Sequence, residues 1–201
     1  YEARLGYEEF GKETHVFSPA YTEEEFQGLL QYADHMIFNS PKQVRKFAQR
    51  AKAAGKEVGL RVNPECSTQE GHAIYDPCSP GSRLGTTLGN FEELVSMLDG
   101  LHFHTLCEQG ADALEITLQA VEEKFGKYLY RMKWLNLGGG HHITREDYDV
   151  SGLIAMIQRL RRKYGIEVYL EPGEAVVLNA GFLVSTVLET MKNGMDIAIL
   201  D

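Results

Sequence analysis

Trp134-Leu135-Asn136-Leu137-Gly138-Gly139-Gly140-His141-His142 is the stretch whose reading decides the fold of this chain. A short apolar run able to form a buried strand passes directly into three glycines. Lacking a Cβ, they can turn tightly and present successive backbone N–H groups to a bound anion. The stretch reads as a phosphate seat at a strand end. A glycine-rich strand-to-helix loop without a ligand fits the same residues, so the surrounding pattern has to choose.

Upstream, Thr14–Ser18 is a short β-type run, and Thr22 with Glu25 forms a capping box that opens a helix to about Ala33. His35–Asn39 is the next strand. Ser40-Pro41 supplies an N-cap and a first-turn proline for a helix that stops at Gly55. Glu57–Val62 is a third strand. A loop rich in Pro, Gly and Ser then runs from Asn63 to about Gly89, a length that suggests a role such as covering a site. Phe91–Leu98 reads as a short helix, Leu101–Thr105 as a fourth strand carrying His102 and His104 on one face, and Gly110 to about Tyr130 as a helix leading into the quoted strand. Downstream come a helix over Val150–Tyr164 stopped by Gly165, a sixth strand over Ile166–Leu170, and then Glu171-Pro172-Gly173. There the alternation ends: Phe182–Glu189 and Met195–Leu200 read as two strands joined through Asn193-Gly194.

Strands alternating with helices predict an α/β fold with a parallel sheet. Polar residues stand at the carboxyl end of strand after strand: Ser18, Asn39, Arg61, His104, Gly138 to Gly140 and Glu171. An open doubly wound sheet gathers ligands at one switch point, whereas a (β/α)8 barrel rings a single mouth with such residues and commonly binds phosphate after its late strands. The barrel is the better account. It needs two further strands upstream of Tyr1, where Glu2–Gly6 reads as the end of a helix whose beginning is absent, so the chain is expected to be a fragment.

The 201 residues can bury a substantial core, and the formal charge of −9 disfavours nucleic acid or an anionic membrane as partner while favouring cationic ligands. The three cysteines, Cys66, Cys78 and Cys107, form no CxxC pair and are read as reduced thiols of a cytoplasmic protein. No apolar run reaches membrane-spanning length.

His102, His104, Cys107, His141 and His142 are all metal-ligand types, but they lack a third ligand at a standard spacing, and no metal is expected. Cys107 has no evident base to make it a nucleophile. Pyridoxal 5'-phosphate explains more residues at once. It needs a phosphate seat, a flat group against its ring and a carboxylate opposite its pyridine nitrogen, and Gly138, Gly139 and Gly140, His104 and Glu171 could supply them in that order.

Leu60-Arg61-Val62, Leu101-His-Phe-His104-Thr-Leu-Cys-Glu108, Leu135-Asn-Leu-Gly-Gly-Gly-His-His142 and Leu170-Glu-Pro-Gly-Glu174-Ala together resemble the fold-type III pyridoxal-phosphate decarboxylases. Within these the resemblance is to the carboxynorspermidine/carboxyspermidine decarboxylase branch, related to ornithine and diaminopimelate decarboxylases and more distantly to alanine racemase. It covers essentially the whole chain. It implies that His104 stacks on the cofactor ring, Gly138 to Gly140 bind its phosphate, Glu171 pairs with its nitrogen, and Glu174, where ornithine-type relatives carry Arg, recognises a cationic polyamine-type substrate. It also implies a homodimer.

Two features depart from the family. Its Schiff-base lysine lies on an early barrel strand, before the part that begins at Tyr1, and the ten lysines here occupy helices, turns or strand beginnings. Its catalytic Cys lies beyond Asp201, so no catalytic residue is assigned within the chain. The expected organisation is a partial alanine racemase-like barrel over 1–174 and the start of a C-terminal β domain over 175–201. The implied reaction is decarboxylation of carboxynorspermidine or carboxyspermidine. A diaminopimelate- or ornithine-type decarboxylase, or a non-catalytic pyridoxal-phosphate-binding barrel, is the alternative.

Overall fold

In the computed structural model, which describes residues 1–69 and 76–201, six short strands form one sheet: β1 (His15–Phe17), β2 (His35–Phe38), β3 (Glu57–Arg61), β4 (Gly100–His102), β5 (Trp134–Asn136) and β6 (Glu167–Tyr169). Their spatial order is their chain order, and every neighbouring pair is parallel. A doubly wound sheet would reverse its order at a switch point. Here every crossover steps the same way, as in the wall of a (β/α)8 barrel, of which six strands are present.

Strand alternation separates two environments. Val16, Met36, Phe38, Val58, Leu60, Leu101, Leu135 and Val168 belong to the apolar core that the strands share with the helices. The helices present Phe26 from α2 (Glu23–Leu29), Phe47 and Ala51 from α3 (Pro41–Ala53), Leu118 and Phe125 from α4 (Ala111–Leu129), and Leu153 and Leu160 from α5 (Val150–Tyr164). α1 (Glu2–Leu5) is a short N-terminal piece continuing into a π-helical turn. The alternate strand positions face inward: His15, His35, Gly59, Arg61, Gly100, His102, Trp134, Asn136 and Tyr169.

The amino-terminal end of that interior is filled by aromatic rings. The Trp134 indole lies across Gly59 and Gly100, where any Cβ would collide with it. It stacks on His35 at 5.0 Å, which stacks on His15 at 3.9 Å, and the Tyr169 ring meets His15 edge-on at 4.5 Å. Glu57 accepts the indole N–H at 2.7 Å, and Glu13 accepts the Tyr169 hydroxyl at 3.1 Å.

The predicted caps form. Thr22 Oγ1 accepts from the Glu25 amide at 3.1 Å and Glu25 returns the bond to Thr22 N–H at 2.8 Å; Ser40 accepts from Gln43, with Pro41 in the first turn. Two expectations shift. Phe91–Leu98 becomes a 3-10 segment over Glu92–Met97, and the first hairpin strand begins late, β7 (Val187–Asn193) pairing with β8 (Met195–Leu200) around Gly194 at φ +72°. A five-residue helix, α6 (Gly173–Val177), precedes the hairpin. Part of the long loop after β3, residues 70–75, lies outside the described residues. Among the described residues no helix is long and apolar enough to cross a membrane.

Candidate active site

The ends of β3, β4, β5 and β6 converge on Glu171. β6 delivers this residue, and the Glu171 amide donates to Gly138 O at 2.9 Å, which fixes the strand end against the glycine turn. Its Oε1 accepts from Asn136 Nδ2 at 2.8 Å and lies 3.5 Å from His102 Nε2, and its Oε2 lies 4.0 Å from His104 Nδ1. The same Asn136 amide uses its oxygen to accept the Gly138 N–H at 2.8 Å. One side chain, 1% exposed, therefore ties the carboxylate to the turn.

The glycines are required by the chain itself. Gly138 and Gly140 have φ of +71° and +78°, a region L residues with a Cβ rarely adopt. A Cβ on Gly138 would lie 2.7 Å from His104 Cα, one on Gly139 2.7 Å from Glu171 O, and one on Gly140 2.9 Å from Cys107 N. The Gly138 amide is spent on Asn136, and the Gly139 amide reaches His104 Nδ1 at 3.4 Å. The Gly140 and His141 N–H groups donate to no group among the described residues.

Burial opposes ionisation of Glu171, but His102, Asn136 and His104 together outweigh it and hold the carboxyl below the usual carboxylate range. Burial, and then the Arg61 guanidinium, lower His104 to about 4, and burial lowers His102 and His141. At neutral pH the centre is thus an ionised carboxylate beside neutral imidazoles. Arg61 donates to His104 O at 3.2 Å and lies over the Phe17 ring, and although burial lowers it to about 10 it stays charged. His102, His104 and Glu171 bring ligand-type atoms within 4.8 Å of one another, a third member that linear spacing did not supply. Apart from the Glu171 carboxylate 3.5 Å from its Nε2, neither His102 nitrogen meets a hydrogen-bonding group among the described residues.

Not every strand-end polar residue joins. Asn39 spends its amide on Arg83 O at 2.8 Å and its oxygen on Gly85 N–H at 2.7 Å, fastening the long loop, and Ser18 closes a local turn on Ala20 O. Glu174, in the first turn of α6, accepts from Thr144 Oγ1 at 2.8 Å and lies 3.2 Å from His142 Nε2. Sequence reading overlooked Asn136 and Thr144. Asn136 was within reach of it, because it shares the inward parity of Trp134 and Gly138. Among the described residues no lysine pairs with Glu171 or Glu174; Lys52 and Lys133 pair with Asp99, Lys46 with Glu23, Lys124 with Glu65, Lys163 with Glu122 and Lys192 with Asp196.

No protein-family model matches the chain. It is 46% identical over 202 residues to the carboxynorspermidine/carboxyspermidine decarboxylase of Campylobacter jejuni, a match taking in 100% of this chain and 52% of that protein. It is 41% identical over 194 residues to the carboxyaminopropylagmatine decarboxylase of Synechocystis sp., over 96% of this chain and 50% of that one. The crystal structure of carboxynorspermidine decarboxylase complexed with norspermidine from Campylobacter jejuni superposes with a TM-score of 0.82 at 44% identity, covering 99% of this chain and 51% of that chain. The chain spans about half the length of the curated relatives it matches.

Sheet order and likeness together define part of a (β/α)8 barrel like that of the carboxynorspermidine decarboxylase structure. Along its whole length the chain is a homologue of the carboxynorspermidine/carboxyspermidine decarboxylases.

Proposed function

We propose that the protein carrying this chain is a pyridoxal-phosphate-dependent carboxy-lyase that removes CO2 from carboxynorspermidine or carboxyspermidine and releases norspermidine or spermidine. The observation that carries the reading is Glu171, held ionised and aimed by Asn136 between the His104 imidazole and the glycine turn. Those groups match the three needs of the cofactor. The Gly138, Gly139 and Gly140 turn would hold the phosphate, with the Gly140 and His141 N–H groups as its uncommitted donors. His104 would lie against the ring, and its neutral imidazole would add no positive charge beside a protonated pyridine. Glu171 would pair with the ring nitrogen, where an ionised carboxylate favours the protonated form by opposite-charge proximity. When bound, pyridoxal phosphate supplies an electron-accepting ring for the pair left as CO2 departs. Asn136 keeps the Glu171 carboxylate from turning away, and the aromatic layer packs the interior beneath it.

Glu174 is read as the substrate contact. A triamine carries positive charge remote from the carbon that loses CO2, and a charge-assisted bond from a secondary ammonium is roughly twice as strong as a neutral one. In the same reading residues 1–174 belong to the barrel and 175–201 begin a β domain. The protein is a cytoplasmic homodimer, a location consistent with Cys66, Cys78 and Cys107 being free. A second reading has a guanidine-ended substrate, favoured by the Synechocystis relative named for carboxyaminopropylagmatine.

Full-length protein loaded with pyridoxal phosphate should release CO2 from carboxynorspermidine or carboxyspermidine faster than from carboxyaminopropylagmatine. The reverse order selects the second reading, and release from neither removes both.

A further inference from the structure

Glu174 does not stand alone at the mouth. Its carboxylate is gripped by two side chains from the strap that follows the glycine turn, Thr144 on Oε1 at 2.8 Å and His142 toward Oε2 at 3.2 Å. Ile143 between them is packed against the core, which anchors the strap and turns its two neighbours to the same side. A glutamate side chain 40% exposed would otherwise sample several rotamers, and a cation binding to it would bear the cost of fixing it. A carboxylate offers about four lone-pair positions, so two internal contacts still leave room for an incoming ammonium.

We infer that Thr144 and His142 are positioning residues that preset the Glu174 carboxylate, and that through it they set the selectivity of the site for a spaced polyamine over a short diamino acid. The inference rests on the reading of Glu174 as the substrate contact. It departs from what residue 174 alone would suggest: the determinant is a three-residue unit, with Thr144 and His142 supplied from a strap 30 and 32 positions earlier in the chain.

The test is a double-mutant cycle in the full-length holoenzyme with carboxynorspermidine. Thr144→Val, which keeps shape and removes the hydroxyl, should raise KM about tenfold while kcat stays within about twofold, since only preorganised binding is lost. Thr144→Ser should restore KM to within about twofold of the parent. In a Glu174→Gln background, itself raised in KM, Thr144→Val should change KM by less than about twofold, because the hydroxyl then has no carboxylate to position. Should Thr144→Val fail to fold, Thr144→Ala carries the same comparison. If Glu174→Gln raises KM and Thr144→Val does not, the positioning inference falls and the reading of Glu174 stands. If Glu174→Gln leaves kcat/KM unchanged, both fall. An equal effect of Thr144→Val in the two backgrounds, or a loss confined to kcat, overturns the inference as well.

Discussion

Replacing Asn136 by Leu should be among the costliest single changes in the barrel, and the cost can be worked from its two bonds. The substitution nearly preserves volume, so cavity terms are small. It removes the 2.8 Å bond from Nδ2 to the ionised Glu171, and hydrogen bonds to charged groups contribute about 1.5–3 kcal/mol. Glu171 is 40% exposed and can recover water, which favours the lower end. The change also strands the buried Gly138 N–H, whose unmet desolvation costs about 1–3 kcal/mol. Together these give roughly 3 kcal/mol. Urea unfolding of the full-length protein at pH 7 would read this as a lowered midpoint at unchanged slope. Asn136→Asp gives a signed control. It keeps the acceptor for Gly138 but sets a second carboxylate against Glu171, raising one folded-state carboxyl. The folded state then binds more protons, so this variant should regain stability relative to the parent as pH falls from 7 toward 5. A Leu variant within about 0.5 kcal/mol of the parent, or an Asp variant whose deficit ignores pH, would refute the idea that Asn136 clamps the site.

Acid should destabilise the protein well before its exposed carboxylates titrate. Burial lowers His15 and His104 to about 4, and His102 and His141 are lowered too, so between pH 6.5 and 4 the unfolded chain binds more protons and stability falls with pH. The lowered Glu171 adds the same sign below that range. For His15 alone the full shift is worth roughly 3 kcal/mol, and for the more exposed His104 less. A melting temperature flat between pH 7 and 4.5 would contradict this. Gly138→Ala should lower the melting temperature markedly, as it combines a φ of +71° with a Cβ 2.7 Å from His104 Cα, whereas Gly55→Ala, at φ +75° with open space around it, should cost less. Equal costs would place the penalty in backbone conformation alone. Borohydride treatment of this 201-residue chain with pyridoxal phosphate should give no single stoichiometrically modified lysine, since none stands at the mouth; one such lysine on peptide mapping would overturn the placement.

The sheet and its helices were legible because their signals are local. Ser40-Pro41 and Thr22-Glu25 carry their caps within four residues, and buried strands such as Met36-Ile37-Phe38 read as apolar runs. Helix α6 left no trace, because five residues after Pro172 are too few to show a period. The residues of the candidate site that the structure brings together, His104, the glycines and Glu171, stood out in the sequence, but what joins them did not. Asn39 and Arg61 both stand at strand ends. Only contacts more than 40 residues away in sequence decide that Asn39 fastens a loop at Arg83 and Gly85 while Arg61 supports His104. Asn136 was readable as inward-facing, but its partner lies 35 residues on, and Thr144 acts through a partner 30 residues distant, which no spacing rule reveals.

The most direct measurement of the central claim is Glu171→Gln in the full-length protein, with cofactor affinity and CO2 release from carboxynorspermidine read on the same preparation. The amide is isosteric and can still meet Asn136, so pyridoxal phosphate affinity should change by no more than about threefold. Turnover should fall about a hundredfold or more, because a neutral amide cannot favour the protonated ring nitrogen as an ionised carboxylate does. Turnover equal to the parent's would contradict the account and leave Glu171 as a strand-end brace.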